Sequence, residues 1–177
     1  YQLQHAKFPV VSCPSGLAIG GGYEVISQTS FIAAHSNSVL GLVESLVGLI
    51  PAGGGCKEML RRWANHSDFK NDPKQLSLKV FNLIGYATTA DSPIKAKAQQ
   101  FLGEQDIMVM SKDRLIEEAD KIIFSRKEHY QSLDSATFSL PGQTVMSDMM
   151  DILYDLKDKK VIGEHGIEVG KKLGYML

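Results

Sequence analysis

Three consecutive glycines, Gly20-Gly21-Gly22, with Glu24 just after them and Glu44 twenty residues beyond Glu24, have the types and spacing to do chemistry. A glycine run leaves backbone with no side chains in the way, so a bound group can approach the peptide N–H groups closely. The run before it, Phe8 to Ile19, reads as strand and turn; Tyr23 to Ser30 reads as a short helix. The glycines then sit where a strand hands over to a helix N-terminus, with N–H donors and the positive end of the dipole. That is a place to hold a negative oxygen. Glu24 falls in the first helical turn, and Glu44 follows the next predicted strand. An oxyanion pocket with two carboxylates near it suits proton transfer on a carbonyl substrate.

The elements that must position these groups follow from the pattern. Phe8 to Cys13 reads as a buried strand with Pro9 at its start, and Pro14-Ser15-Gly16 as a turn. Phe31 to Ala34 is a second strand, 35–38 a polar connection, and Val39 to Val43 an apolar run that delivers Glu44. Gly48 to Gly55 is a second glycine-rich turn opening a helix, Cys56 to His66, with Met59, Leu60 and Trp63 on one face. Lys57, Arg61 and Arg62 on the other side read as a solvated face rather than a phosphate site. Pro73 restarts a helix with Leu76, Val80, Phe81 and Ile84 at helical spacing. Pro93 opens one to Leu102, 106–110 reads as extended, and Ser111 caps a long helix to about His129. After Leu140-Pro141-Gly142, two amphipathic helices cover 144–160 and 163–177. The first third is mixed strand and helix and the rest mainly helical.

The 177 residues suffice for one ordinary domain, with 44% apolar and 22% charged residues, the usual balance for a soluble globular protein. A net charge of −1 argues against a nucleic-acid or anionic-membrane partner. No apolar run reaches the ~18–20 residues that span a bilayer. Cys13 and Cys56, far apart in apolar or glycine-rich settings, fit a reducing compartment better than a disulfide framework. The five histidines have no metal-like spacing, so no metal is expected. The chain opens on Tyr1 rather than Met and runs out at Lys171 to Leu177 without a helix stop, so a piece of a longer protein is expected.

Each feature alone has a plain structural reading: a tight turn for the glycines, a favourable first-turn charge for Glu24, a surface charge for Glu44. Together they match something narrower. Pro9-Val10-Val11, Gly16 through Glu24, and Gly41-Leu42-Val43-Glu44 through Gly53-Gly54-Gly55 resemble the enoyl-CoA hydratase/isomerase (crotonase) family in order and spacing. Thr88 to Ser92, Ile107 to Met110, Asp113-Arg114-Leu115, Glu164-His165 and Gly170 to Leu173 resemble the crotonase region of multifunctional 3-hydroxyacyl-CoA dehydrogenases of fatty-acid β-oxidation.

The resemblance implies an α/β fold, the C-terminal portion of a crotonase-like ββα superhelix, mainly helical after about residue 53. Residues 1–110 would belong to the core and 111–177 would be a helical extension packing on it. It implies that Gly21 N–H is one of two oxyanion donors to the thioester carbonyl of an acyl-CoA, the other lying on a segment before the matched region. Glu24 would activate a water and Glu44 would protonate the α-carbon as water adds across the 2,3 double bond. Ile19, Gly20 and Ala52 would contact substrate, Ala52 standing where the family often has glycine. Double-bond isomerisation, thioester hydrolysis, or a catalytically incomplete fragment serving assembly are the alternatives. No cofactor is expected in this chain. NAD would belong to a separate dehydrogenase domain, since neither glycine run forms G-x-G-x-x-G. Self-association into a trimer or hexamer, or docking on another domain of the same protein, is expected, in bacterial cytoplasm or, for a eukaryotic protein, the mitochondrial matrix.

Overall fold

The computed structural model describes residues 2–177. The chain forms two compact units, each discontinuous: residues 1–41 with 89–136, and 42–88 with 137–177. Both units draw on both sides of the boundary expected at residue 110.

The first unit carries every strand among the described residues. Strand β1 (Val11–Ser12) pairs in parallel with β3 (Phe31–His35), and β3 pairs in parallel with β6 (Ile107–Val109). A second small sheet joins β2 (Leu17–Ile19), β4 (Val39–Gly41) and β5 (Thr89–Ala90), with β2–β4 parallel and β4–β5 antiparallel. Helix α1 (Gly21–Ser27) connects β2 to β3; α4 (Pro93–Ala98) follows β5, and α5 (Leu115–Arg126) follows β6 after a 3₁₀ turn, Lys112–Arg114. The central strand β3 is apolar from Phe31 to Ala34 and buried throughout, as expected for a parallel strand covered on both faces. Its Ala33 packs with Val109 and Leu115 in a common core. Buried Asp106 ties this sheet together: Oδ1 accepts Ile32 N–H at 2.8 Å and Oδ2 accepts Gly103 N–H at 2.7 Å.

The second unit is helical. It holds a 3₁₀ turn at Glu44–Val47, α2 (Gly55–Ala64), α3 (Pro73–Gly85), α6 (Gln143–Asp158) and α7 (Glu164–Met176). Asp72 caps α3 by accepting Gln75 N–H at 3.0 Å, and Pro73 sits at the first helical position, where its missing donor is no loss. Helices α6 and α7 pack closely because α7 presents glycine: a Cβ at Gly170 would lie 2.3 Å from Leu153 Cδ2, and one at Gly174 would lie 3.1 Å from Met149 Sδ. Met149 is fully buried there.

Several boundaries differ from expectation. The first strand shrinks to Val11–Ser12, half-buried, and Phe8 is exposed. Helix α1 starts inside the glycine run and stops at Ser27, so Gln28 and Thr29 lie beyond it, buried. Helix α4 ends at Ala98 because Gln100 adopts φ +58°. Arg61 and Arg62 are not a solvated face: both grip Glu58, whose side chain has no solvent exposure. No helix of the described residues is long and apolar enough to cross a membrane.

Candidate functional site

The glycine run is a strand-to-helix corner of the first unit. Ile19 pairs opposite Gly41, and Gly20 N–H donates to the Gly41 carbonyl at 2.8 Å, which fixes where β2 stops. Gly20 then turns with φ +55° and ψ −130°, a conformation that disfavours L side chains. Its carbonyl accepts Glu24 N–H at 3.0 Å, the first bond of α1. Gly21 and Gly22 therefore occupy the first helical positions, where amides have no intrahelical acceptor. Both are exposed, and a Cβ on either would meet nothing within 4 Å.

The rest of α1 is anchored inward. Tyr23 is fully buried, donates its hydroxyl to the Phe101 carbonyl at 3.1 Å, and packs edge-on to the Phe101 ring at 5.0 Å. Ser27 donates to the Glu24 carbonyl at 3.0 Å. Glu24 follows Tyr23 and is itself 7% exposed, a carboxylate taken out of bulk water. Ile19, Gly20, Gly21 and Glu24 are thus gathered on one corner.

Glu44 and Ala52 belong to the second unit. Leu42 is fully buried, and Glu44 opens the 3₁₀ turn with both carboxylate oxygens shielded from solvent. The surface-charge reading of Glu44 fails on that burial. Leu46 N–H donates to Val43, Gly48 N–H to Ser45 and Leu49 N–H to Glu44, at 3.1, 3.2 and 3.0 Å. Gly48 closes the turn in the left-handed region, φ +74°. Ser45 Oγ donates to the Ile84 carbonyl near the end of α3 at 3.1 Å, and His165 Nε2 of α7 lies 3.0 Å from the Gly48 carbonyl. Behind the turn lies a cavity of about 70 Å³ with Ser45, Leu49, Ile84, Leu153, Val169 and Gly170 among its walls. Ala52 is exposed in the loop before α2.

Helix α2 carries a buried charge cluster where a solvated basic face was expected. Arg61 Nε donates to Glu58 Oε2 at 2.9 Å and Arg62 Nε donates to Glu58 Oε1 at 2.8 Å. Burial pushes the Glu58 carboxyl up, but the hydrogen bonds and charges of Arg61 and Arg62 outweigh it and hold it below the usual carboxylate range. The i, i+3 and i, i+4 spacing was the available signal. Phe101 and His165 carry no such signal: only tertiary packing brings them to Tyr23, beside Glu24, and to the turn of Glu44.

Residues 1–70 match the family described as enoyl-CoA hydratase/isomerase. A Bacillus subtilis protein named as a probable 3-hydroxyacyl-CoA dehydrogenase is 31% identical over 99% of this chain and 22% of its own length. A Rickettsia felis protein named as a fatty acid oxidation complex trifunctional enzyme is 33% identical over 71% of this chain and 16% of its own length. The chain therefore spans about a fifth of the curated relatives it matches. A solved enoyl-CoA hydratase from Bacillus anthracis superposes with a TM-score of 0.55 at 19% identity, covering 98% of this chain and 55% of that one, which shows a shared fold.

Proposed function

Because residues 1–70 match the enoyl-CoA hydratase/isomerase family and the chain has the fold of solved enoyl-CoA hydratases, we propose that it carries the catalytic glutamates of an enoyl-CoA hydratase. The observation that carries this reading is the β2–β4 register. Gly41 is tied to Gly20, next to the Gly21 amide, and Glu44 follows only three residues after Gly41. Three residues of chain span at most about 11 Å, and that short connection supports a reading in which Gly21, Glu24 and Glu44 act on one substrate.

In this reading the thioester oxygen of a 2-enoyl-CoA accepts from Gly21 N–H, and a second donor comes from chain outside these residues. Glu24 takes a proton from water as its oxygen bonds to C3; the C2–C3 π pair moves into an enolate on the thioester. Glu44, protonated, then delivers a proton to C2, and water has added across the double bond. The developing oxyanion is where a preorganised N–H contributes most, typically ~3–4 kcal/mol per donor. Ile19, Gly20 and Ala52 contact the substrate in this reading. Two carboxylates, rather than one base, favour hydration over double-bond isomerisation.

The reaction needs no cofactor in this chain. An associated dehydrogenase domain would use NAD, and the dehydrogenase name of the Bacillus subtilis relative supports that association. Self-association of the intact domain and a place in bacterial cytoplasm are part of the same proposal. The test is Glu24→Gln and Glu44→Gln in the full-length natural protein, following loss of enoyl-CoA absorbance. Each should lower kcat by about 10²-fold or more, the usual weight of a positioned acid or base. Near-normal rates in both variants would remove the assignment.

A further inference from the structure

We propose that His165 is a positioning residue for Glu44, fixing from outside the turn that carries it; this rests on the assignment of Glu44 to the reaction. The turn has little hold of its own. It is a single 3₁₀ turn, Glu44–Val47, whose hydrogen-bond geometry is poorer than an α-helix's. Its apolar side chains do not bury it: Leu46, Val47 and Leu49 are 75%, 73% and 61% exposed. Polar anchors add to that hold, and Ser45 and His165 supply two of them. Ser45 bonds the end of α3 from inside, and His165 bonds the Gly48 carbonyl from α7. A carbonyl only accepts, so Nε2 carries the hydrogen and donates.

The contact is built in from both sides. A Cβ on Gly48 would lie 2.6 Å from His165 Nε2 and 2.9 Å from Cδ2, so the ring sits where a side chain would be. The same glycine closes the turn at φ +74°, a backbone L residues seldom adopt. His165 lies in the first turn of α7, and its neighbour Glu164 is ion-paired at 2.6 Å to Lys157 of α6. The imidazole thus stands at a helix start whose first residue is ion-paired to α6. A catalytic carboxylate displaced by about 1 Å can lose 10²-fold in rate, so a modest loosening of this turn reaches the chemistry.

The experiment uses the full-length protein and three forms: wild type, His165→Ala and His165→Gln, the last keeping an N–H donor. The first readout is hydrogen–deuterium exchange at the amides of Leu46, Gly48 and Leu49. His165→Ala should speed exchange there several-fold, and His165→Gln should restore most of the protection. The second is hydration of a short 2-enoyl-CoA, where His165→Ala should lower kcat about 10-fold with KM within 2-fold, rescued by Gln. Unchanged exchange in His165→Ala overturns the proposal, as does faster exchange with full kcat. Equal losses in Ala and Gln would show a merely structural ring and overturn it too. A wild type that hydrates no enoyl-CoA, with exchange behaving as expected, sinks the hydratase assignment and with it the positioning role, leaving the pin structural.

Discussion

Glu58 shows how charge and burial compete at one residue. Its carboxylate has no solvent exposure, yet it is held ionised because Arg61 and Arg62 both donate to it. Removing one partner of such a cluster leaves uncompensated buried charge, typically ~3–5 kcal/mol. Glu58→Gln should therefore lower the midpoint of a chemical denaturation series at pH 7. The pH sign follows from a folded pKa below the ordinary value. Its contribution is complete above the unfolded-state carboxylate pKa of about 4.3 and fades as pH falls through the folded value. The gap between wild type and Glu58→Gln should therefore shrink in acid; a gap constant down to pH ~3 would contradict the ion cluster. The i, i+4 pairing was legible in the sequence, but which side of α2 is covered was not, because that is decided by what packs on the helix. Glu24 and Glu44 stand out as candidates for a different reason: glycine and glutamate spacing is written along the chain, whereas their burial is not.

Short elements position those residues, and their boundaries were the least legible. The run Phe8 to Cys13 has strand composition, but only Val11–Ser12 finds a partner, in β3. The β4–β5 pairing was missed because Thr88 to Ser92 carries capping residues, and nothing local says that Thr89–Ala90 pairs with Leu40–Gly41. The long apolar-periodic helices were visible, and their observed ends moved by only a few residues. Asp106 had no signal beyond opening an extended run, yet its two oxygens hold Ile32 of β3 and Gly103 in the turn before β6. Asp106→Asn replaces one acceptor with a donor facing an N–H group. A buried donor without an acceptor costs about 1–3 kcal/mol, so this variant should unfold at correspondingly lower denaturant. Stability equal to wild type would mean that strand β3 and the turn at Gly103 do not depend on that carboxylate.

At the scale of the molecule, the chain doubles back between its two units, leaving the first at Gly41, returning at Thr89 and leaving again at Ala136. The crossing at Gly41 lies between the two glutamates, so the corner with Gly21 and Glu24 and the turn with Glu44 are each built by a separate set of elements. That division could not be read from spacing, since each unit is assembled from segments far apart in sequence. The fold was legible because the glycine-rich turns at 20–22 and 53–55 punctuate runs of strand and helix character along the chain. The central claim is that one thioester meets the Gly21 amide and both carboxylates. The most direct measurement is a crystal structure of the full-length protein with a bound acyl-CoA thioester. The account predicts the thioester oxygen on Gly21 N and both carboxyl groups within about 3 Å of one water. Carboxyl groups too far apart to share a water, around a well-ordered thioester, would contradict it.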